Sequence, residues 1–580
     1  MNAPISIGTQ DFEKLRLSGS FYIDKTDFIR EWWERQDDVT LITRPRRFGK
    51  TLNLSMMECF FSKKYTGRKD LFEGLSIWNS QKYREMQGTF PVLSLSFAAV
   101  KGTTYQNTRE AIITVLRKLY EKHHYLLAGD TLSESEKKSF HTLGQYIEPD
   151  KDPFKEITDN TIAWALNTLM SYMVRYYGQK VIVFLDEYDT PLQEAYIHGY
   201  WNELTSLVCS MFNSTFKTND CLYRALLTGI TRVSKESIFS DLNNLMVVTT
   251  TSDEYCSAFG FTEQEVLQTL DEQQLSGQMN DIRRWYDGFV FGSHDKIYNP
   301  WSITMYLRTR EYGTYWADTS SNALVSELMR TGTPELKMQL EDLIAGNALE
   351  TELDEQVIFE QLKQKKGAVW SLLIASGYLK PEKRTFNRES GRYLYSIRLT
   401  NHEVDLMFRD MIASWFPEDQ TSYRNFQRAL LDGDLDYMNQ YMNDVAEEMF
   451  GSFDTDRKPP EKKQPERFYH GFVLGLIVDL SGRYLIHSNK ESGLGRYDVM
   501  MEPLRDTDNA IIMEFKVFSK PKDKTLKKAV ENALLQINTM NYDAELLARG
   551  IQKKRIRHYG FAFDGKTVLI GDDSQETFLR

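Results

Sequence analysis

The chain has 580 residues, of which 41% are apolar and 26% are charged, and its formal net charge at pH 7 is −11. This length is too great for one hydrophobic core and predicts three or four domains. The acidic balance argues against a globally basic nucleic-acid-binding protein, and no run approaches the roughly 18 apolar residues of a membrane-spanning helix. Four scattered cysteines and an N-terminus without an export signal predict a reducing, cytoplasmic location.

The first 260 residues alternate strand-like and helix-like segments. Strands are predicted over residues 39–43, 90–97, 180–189, 222–229 and 245–252, and helices over residues 51–61, 105–126 and 158–177. Strands separated by helices are typical of a parallel sheet with helices on both faces. We therefore expect residues 1–260 to form one α/β domain.

A phosphate-binding loop is predicted between the first strand and its helix. Residues 41–55 read LITRPRRFGKTLNLS, and their end matches the pattern G-x-x-x-x-G-K-[ST]. In such loops backbone N–H groups and a helix N-terminus converge on the phosphates, so Gly49 is expected to line the site. Lys50 is expected to reach the terminal phosphates, and the Thr51 hydroxyl to bind Mg²⁺.

The beginning of this loop departs from the pattern, because Arg44 holds the place of the first glycine. Arginine does not adopt positive φ angles cheaply, so the loop must enter differently, and Pro45 restricts it further. Arg44, Arg46 and Arg47 nevertheless bring three positive charges to the expected phosphate position. Nucleotide binding is therefore predicted, whereas hydrolysis is left open.

Acidic and polar residues follow two later strands of the same domain. Asp186 and Glu187 end the apolar strand VIVFL, where Asp186 would hold Mg²⁺ and Glu187 would polarise the attacking water. Thr228 follows the next strand as a candidate sensor of the terminal phosphate, with Arg232 as a weaker candidate. The alternatives are a solvated strand end for the two acids and ordinary loop polarity for the other two residues.

The remaining chain divides by texture into three parts. Residues 261–450 are predicted to be mainly helical, with a strand or hairpin near residues 378–400, and the proline-containing residues 451–467 to be a linker. Residues 468–580 are predicted to form a compact α/β domain. Residues 451–580 carry 22 basic and 19 acidic side chains, which points to a polyanionic partner at this end or to chance variation between domains.

The C-terminal part contains a candidate metal-dependent catalytic centre. Asp498 begins one predicted strand, and the strand AIIMEFKV carries Glu514 and Lys516, which face the same side because they are two residues apart. If the strands pair, the two carboxylates form an oxygen site for Mg²⁺, and the lysine beside it orients water and stabilises charge on phosphate. Taken alone, a Glu-x-Lys pair on a strand is more often an exposed ion pair.

The flanking segments suit this centre. Glu466 precedes a predicted helix over residues 468–480 and would add a carboxylate, while Gln536 and Tyr542 on a later helix would support the lysine or the DNA strand. The basic residues 520–528 would contact phosphates or form a solvated loop.

Seven segments together resemble a bacterial family that joins an AAA-ATPase-like domain to a C-terminal PD-(D/E)xK nuclease-superfamily domain. They are YIDKTDFIREW, LITRPRRFGKTLNLSMMECFF, FLDEYDTPL, LLTGITRVSKESIFSDLNNL, WYDGFVFG, YNPWSI and SNKESGLGRYDVMMEP...EFKV. The family's own loop reads RPRRFGK, so Arg44 is similar to a family feature. The resemblance implies nucleotide binding at Lys50 and Thr51, Mg²⁺ binding and water activation at Asp186 and Glu187, and a restriction-endonuclease-like domain at the end of the chain. Its catalytic residues would be Asp498, Glu514 and Lys516, with Tyr497 in place of the usual proline before the aspartate.

The leading hypothesis is a cytoplasmic bacterial protein that binds ATP and Mg²⁺ and cleaves DNA, or less favourably RNA, with Mg²⁺ or Mn²⁺. One alternative is a nucleotide-gated module that grips nucleic acid without cutting. Another is a protein-interaction switch that binds nucleotide without turnover. The oligomeric state stays open, with a homo-oligomer among the alternatives.

Overall fold

The computed structural model forms two compact units. It describes residues 3–144, 154, 157–231, 239, 242–317, 325, 328–329, 334–344, 346–353, 366–388, 392–413, 420–450, 473, 476–477, 480, 482–488, 491–492, 495–518, 523–564 and 567–573. The N-terminal unit contains Met1–Leu324 and Glu350–Val404, and the C-terminal unit contains Val325–Leu349 and Asp405–Arg580.

Helices and strands follow one another in both units. The α-helices are α1 (Phe12–Leu17), α2 (Asp27–Arg35), α3 (Lys50–Phe61), α4 (Gln81–Met86), α5 (Tyr105–Lys122), α6 (Glu134–Gly144), α7 (Asp159–Tyr177), α8 (Thr190–His198), α9 (Trp201–Phe216), α10 (Glu263–Glu272), α11 (Met279–Tyr286), α12 (Pro300–Thr309), α13 (Pro334–Ile344), α14 (Lys366–Ala375), α15 (His402–Ala413), α16 (Gln420–Asp432), α17 (Leu435–Phe450), α18 (Leu526–Thr539) and α19 (Ala544–Ala548). The strands are β1 (Val39–Thr43), β2 (Val92–Ser96), β3 (Val181–Asp186), β4 (Leu222–Gly229), β5 (Leu245–Val248), β6 (Phe261–Thr262), β7 (Phe289–Phe291), β8 (His294–Tyr298), β9 (Leu349–Glu352), β10 (Leu379–Asn387), β11 (Arg392–Leu399), β12 (Tyr484–Ser488), β13 (Glu491–Ser492), β14 (Gly495–Arg496), β15 (Val499–Pro503), β16 (Ala510–Val517), β17 (Ile556–Asp564) and β18 (Thr567–Asp572).

A five-stranded parallel sheet organises the N-terminal unit, in the order β2-β3-β4-β1-β5. Every residue of β1 and β3 is buried. Because successive side chains point to opposite faces of a strand, this burial means that both faces of the sheet are covered. The predicted α/β architecture and its five strands are confirmed, with ends that differ by up to four residues from the predicted ones.

The region after residue 260 contains more sheet than the sequence predicted. The expected hairpin forms as β10 and β11, which join β9 in a three-stranded sheet, but β6, β8 and β7 form a further small sheet. These three strands have five residues or fewer, and segments of that length carry too little periodicity to be recognised.

The C-terminal unit is built on a mixed five-stranded sheet with the order β12-β15-β16-β17-β18, in which β16 and β17 are parallel. Its core includes buried residues of α16 and α17 as well as of the sheet. The structural unit therefore begins before the predicted domain start at residue 468, because these helices bury their apolar faces with the later strands. The predicted linker at residues 451–467 lies outside the described residues, as does most of the predicted helix at residues 468–480.

The helices were also compared with the length and hydropathy that a lipid bilayer requires. Among the residues that the structure describes, no helix is both long enough and apolar enough to cross a membrane.

Candidate functional site

The phosphate-binding loop connects β1 to α3 at the carboxyl edge of the parallel sheet. Gly49 is the N-cap of α3 and has a φ angle of 82°, and Arg47 also has a positive φ of 64°. A helix N-terminus preceded by a left-handed residue presents backbone N–H groups to an anion. The loop thus keeps the geometry of a phosphate site although it lacks the first glycine.

A cavity of about 390 Å³ opens in front of this loop and lies within the N-terminal unit. Its walls come from the first residues of the chain, the phosphate loop, the turn after β3 and the start of α12. Residues on these walls include Thr9, Phe21, Lys25, Arg46, Arg47, Gly49, Lys50, Thr51, Glu187, Gly260 and Trp301. The volume and mixed polarity are typical of a small-molecule site.

Lys50 is held inside the loop that it serves. Its Nζ donates hydrogen bonds to the carbonyl oxygens of Arg44 at 3.0 Å and Pro45 at 2.9 Å, and the side chain is buried. Burial lowers the pKa of Lys50, while the nearby carboxylates of Glu187 and Asp186 raise it. The ammonium group is therefore placed next to the loop, where it is available to a phosphate.

Asp186 joins two predicted site residues from neighbouring segments. Its Oδ2 accepts a hydrogen bond from Thr51 Oγ1 at 2.7 Å, and its Oδ1 accepts one from Thr228 Oγ1 at 2.6 Å. Burial raises the pKa of this carboxyl group, and the two hydroxyl donors lower it. The three predicted residues are thus brought together at the edge of β1, β3 and β4, with the oxygen ligands that Mg²⁺ prefers.

Glu187 lies on the cavity wall directly after β3. Its backbone φ is 50°, a rare value for a glutamate, and its Oε2 accepts a hydrogen bond from Thr190 Oγ1 at 3.2 Å. Such strain is common where a side chain must be aimed at a site. The geometry directs the carboxylate into the cavity, on the same side as the phosphate loop.

Arg44 takes a different place from the one predicted. Its side chain is fully buried, and its guanidinium donates to the carbonyl oxygens of Thr43, Thr249 and Glu254 at 2.9, 2.7 and 3.1 Å. The guanidinium carbon also lies 4.6 Å from the centre of the Phe291 ring. Burial lowers the pKa of Arg44 to about 10, so the group stays charged near neutral pH. Arg44 supports the loop from behind and does not line the cavity.

Arg46 and Arg47 do line the cavity, as the sequence predicted for positive charge beside the phosphates. The guanidinium of Arg47 lies 4.4 Å from the ring centre of Trp301, and the Arg46 carbonyl accepts a hydrogen bond from Trp316 Nε1 at 2.9 Å. Sequence reasoning did not identify Trp301, because nothing in the chain order places α12 beside the loop.

Residues from the end of the N-terminal unit fix the back of the loop. Phe48 packs edge-to-face on Phe289 with ring centres 4.7 Å apart, and a Cβ at Gly377 would lie 2.9 Å from Pro45. The buried carboxylate of Glu403 accepts hydrogen bonds from Ser302 and from the backbone N–H of Trp316. The loop is therefore packed against elements whose motifs, WYDGFVFG and YNPWSI, had no predicted role.

Two further charged residues escaped the sequence prediction. Asp189 is buried, and its Oδ2 accepts hydrogen bonds from the N–H groups of Ile230 and Thr231 at 3.0 and 2.8 Å, which fixes the turn after Thr228. Burial raises the pKa of Asp189. The only sequence signal was an acid three residues after Asp186.

Lys25 is the second of these residues and belongs to the cavity wall. Its Nζ lies 2.7 Å from Glu265 and donates to the Ser257 carbonyl at 2.8 Å. Burial lowers the pKa of Lys25, and the charge of Glu265 raises it. This pair ties the N-terminal segment to α10 on one side of the cavity.

The second candidate site lies in the C-terminal unit and contains all three predicted residues. Val499 pairs with Met513 in an antiparallel ladder, which brings Asp498 beside Glu514. Asp498 Oδ2 accepts a hydrogen bond from the N–H of Phe515 at 2.8 Å, and Lys516 Nζ donates to Glu514 Oε1 at 2.8 Å. The two acids and the amine therefore converge at the point where β15 and β16 meet.

The environment of this trio separates it from an ordinary surface ion pair. Glu514 is only 1% exposed, whereas the Lys516 side chain is 25% exposed, so the pair lies at the boundary between core and solvent. Phe515 points to the opposite face and joins the core there, as predicted. On the side of the trio, Gln536 Nε2 donates to the Tyr542 hydroxyl at 3.1 Å, and the charges of Glu514 and Asp498 raise the pKa of Tyr542 further after burial has done so.

The oxygen ligands of Asp498 and Glu514 fit a hard divalent cation such as Mg²⁺ or Mn²⁺. Within the described residues no group of three or more histidine, cysteine, aspartate or glutamate side chains is arranged to hold a metal ion. Glu466, the predicted third carboxylate, and Arg232, the weaker phosphate candidate, lie outside the described residues. Part of the basic segment 520–528 does so too.

Family models match both halves of this arrangement. Residues 6–239 match the model of a predicted AAA-ATPase, and residues 464–573 match the model of the PD-(D/E)XK nuclease superfamily. The chain thus combines an AAA-ATPase-like region with a PD-(D/E)XK nuclease-superfamily region, as its motifs predicted. These matches support nucleotide binding and a nuclease-like fold, and both families generally use a nucleotide or a divalent metal ion.

Individual proteins resemble the chain more distantly. The "uncharacterized protein in vnfD 5′region" of Azotobacter chroococcum mcd 1 is 26% identical over 427 residues, which are 72% of each chain. Among solved structures, the Aeropyrum pernix ORC2 protein in ADPNP–ADP complexes is 10% identical over 71% of this chain and 96% of that chain, with a TM-score of 0.22. At that score the structural match carries no conclusion.

Proposed function

We propose that the chain is a nucleotide-binding protein whose C-terminal unit hydrolyses phosphodiester bonds of DNA with the help of a divalent metal ion. The observation that carries this proposal is the convergence of Asp498, Glu514 and Lys516 on two paired strands. Two acids and one amine at a strand boundary suit metal-assisted attack of water on a phosphate.

Each member of the trio has a distinct task in this reaction. Asp498 and Glu514 would hold Mg²⁺ or Mn²⁺, which when bound polarises the phosphate and lowers the pKa of a coordinated water molecule. Lys516 donates to Glu514 and is partly exposed, so its ammonium can reach a bound phosphate, orient the water and stabilise the charge that develops on the phosphate oxygens. The hydrogen bond from the Phe515 N–H holds Asp498 in place for this purpose.

In the N-terminal unit, we propose that the cavity takes ATP with Mg²⁺. The loop and Lys50 would surround the phosphates, and Thr51 and Asp186 would bind the metal ion, since they already share a hydrogen bond at 2.7 Å. Thr228 would sense the terminal phosphate through Asp186, and Arg46 and Arg47 would add positive charge at the cavity wall. Glu187 would orient the attacking water if the nucleotide is hydrolysed.

The nuclease proposal is tested by cleavage of labelled single-stranded DNA, double-stranded DNA and RNA with Mg²⁺ or Mn²⁺. We expect Asp498→Ala, Glu514→Gln and Lys516→Ala each to slow cutting by about a hundredfold or more, because each removes a metal ligand or a charge on the reacting phosphate. Asp506→Ala and Lys554→Ala, which change an exposed acid and an exposed amine of the same unit, are matched controls. Equal cutting by wild type and all variants would remove the nuclease assignment.

A nucleotide-gated switch without cleavage is the second candidate function. It is favoured by the packing of the phosphate loop on later elements, through Phe48 on Phe289 and the Trp316 hydrogen bond to Arg46. A nucleotide that moves this loop would move those elements as well. Calorimetric titration with ATP and a phosphate-release assay separate the two: binding without release, unchanged by Glu187→Gln, would favour the switch.

A further inference from the structure

The hairpin formed by β10 and β11 extends from the N-terminal unit into solvent. Its base is anchored, because Leu379, Tyr395 and Ile397 are buried, while β10 is exposed from Lys383 to Asn387. The nine residues of β10 reach roughly 30 Å as an extended strand. Such an arm contributes little to the core, so its composition calls for a reason other than folding.

The charge of the hairpin is opposite to that of the whole chain. Residues 379–399 contain six basic and two acidic side chains, in a protein with a net charge of −11. Among the described residues neither Lys383 nor Arg388 forms an ion pair, and the side chain of Arg392 remains 73% exposed although it pairs with Glu352 at 3.0 Å. A concentration of accessible cations on an acidic protein selects a polyanionic partner.

Two aromatic rings are exposed in the middle of this positive charge. Phe386 and Tyr393 are paired in the β10–β11 ladder, so their side chains share one face, and their ring centres are 5.1 Å apart. They are 51% and 44% exposed. Arg384 lies on the same face, two residues before Phe386, with its guanidinium carbon 5.2 Å from the centre of the Tyr393 ring.

This combination distinguishes a nucleic acid from other polyanions. Exposed rings and an arginine plane provide surfaces on which bases stack, and the surrounding cations hold the phosphates. Bases are available for stacking only where they are unpaired, whereas a duplex presents mainly phosphates and groove edges. The aromatic pair therefore favours a single strand over a closed duplex.

We propose that the β10–β11 hairpin is a nucleic-acid-binding arm, in which Phe386 and Tyr393 stack on unpaired bases and Lys383, Arg384 and Arg388 contact phosphates. The inference rests on the proposed function only for the class of partner and needs neither a metal ion nor cleavage. It adds a binding surface that is separate from the trio of Asp498, Glu514 and Lys516.

The test is fluorescence anisotropy with the full-length Asp498→Ala protein in EDTA, so that the probe stays intact. The probes are a labelled 20-nucleotide DNA strand of mixed sequence, the same strand in a duplex, and the corresponding RNA strand. We expect the single strands to bind more tightly than the duplex. The Phe386→Ala, Tyr393→Ala double variant should lose about tenfold or more in affinity for them.

The cations are tested separately by salt dependence. In Lys383→Ala, Arg388→Ala, the slope of log affinity against log salt should decrease by about 1.4, because each lost phosphate contact on a single strand removes about 0.7. Trp164→Ala, which removes an equally exposed ring, and Lys118→Ala, Lys138→Ala, which removes two exposed cations elsewhere, should bind like the parent protein.

Two outcomes would overturn the inference. One is wild-type affinity and salt slope in both hairpin variants, with melting temperatures that show them folded. The other is a preference for the duplex that the aromatic substitutions do not change. Failure of the nuclease proposal would look different, because cleavage in Mg²⁺ would be absent while strand binding still depended on the hairpin.

Discussion

The buried position of Arg44 leads to a prediction that separates structural support from phosphate binding. In Arg44→Met the chain length is kept, but three charge-assisted hydrogen bonds to the carbonyls of Thr43, Thr249 and Glu254 are lost. At about 1.5 to 3 kcal/mol each, the gross loss is about 5 to 9 kcal/mol. Relief from burying a cation offsets several kcal/mol, so we expect the free energy of unfolding to fall by about 3 kcal/mol.

Scanning calorimetry of the full chain measures this loss. The N-terminal unit contains roughly 380 residues, so its unfolding entropy of about 0.8 kcal/mol/K converts 3 kcal/mol into a decrease in Tm of about 4 °C. ATP binding, measured by titration calorimetry well below the transition, should change little. The matched variant Arg47→Met should do the reverse, with about tenfold weaker ATP binding and a Tm within about 1 °C of wild type, since Arg47 is exposed and lines the cavity.

The crossed result would refute the reasoning. If Arg44→Met abolished ATP binding without lowering the Tm, its guanidinium would act on the phosphates as the sequence suggested. If Arg47→Met lowered the Tm without affecting ATP, the cavity would not be the nucleotide site.

Three further predictions concern residues that no motif identified. His558 lies between Asp543 at 2.7 Å and Asp573 at 2.9 Å; burial lowers its pKa, but the two aspartates outweigh this and raise it to about 9. The raised value stabilises the fold fully below pH 6.5, and about 3 kcal/mol of unfolding free energy is lost as pH rises through about 9, relative to His558→Gln in denaturant titrations. Asn439→Ala should cost about 1 to 3 kcal/mol, and hydrogen exchange at Ile570 should accelerate, because its amide pairs with both the N–H and the carbonyl of that edge-strand residue. Asp189→Ala should lower the thermal stability of the N-terminal unit by about 3 kcal/mol, because the N–H groups after β4 lose a buried charged acceptor.

Each of these predictions has a direct counter-result. A parallel pH dependence in wild type and His558→Gln would show that the histidine is not charged in the folded state. Asn538→Ala removes an amide that bonds only within its own helix, so an equal effect of that variant would contradict the edge-strand argument. An unchanged Tm in Asp189→Ala would mean that the turn does not depend on its carboxylate.

Edge protection in the C-terminal unit illustrates why such residues are hard to foresee. Asn439 and Asn443 are four residues apart on α17 and pair with Ile570 and Val568 of β18, more than a hundred residues later. These amides satisfy the backbone groups of an edge strand that would otherwise attract another chain. In the sequence they are two ordinary polar residues on a helix.

The sequence by itself determined the parallel sheet, the phosphate loop and the strand that carries Glu514 and Lys516. These features depend on local patterns, since apolar runs between helices and a two-residue spacing fix the element and the face that each side chain takes. The pairing of Asp498 with Glu514 was also predictable, because the two strands are neighbours in the chain and form a hairpin.

Only the tertiary structure decided which way Arg44 points, what packs behind the loop and where the C-terminal unit begins. Arg44 meets the carbonyls of residues about 205 positions away, and Trp301 reaches Arg47 from α12. Contacts between segments so far apart depend on how whole elements pack, and local composition carries no record of that packing. A charged side chain beside a phosphate loop reads the same in sequence whether it faces the ligand or the core.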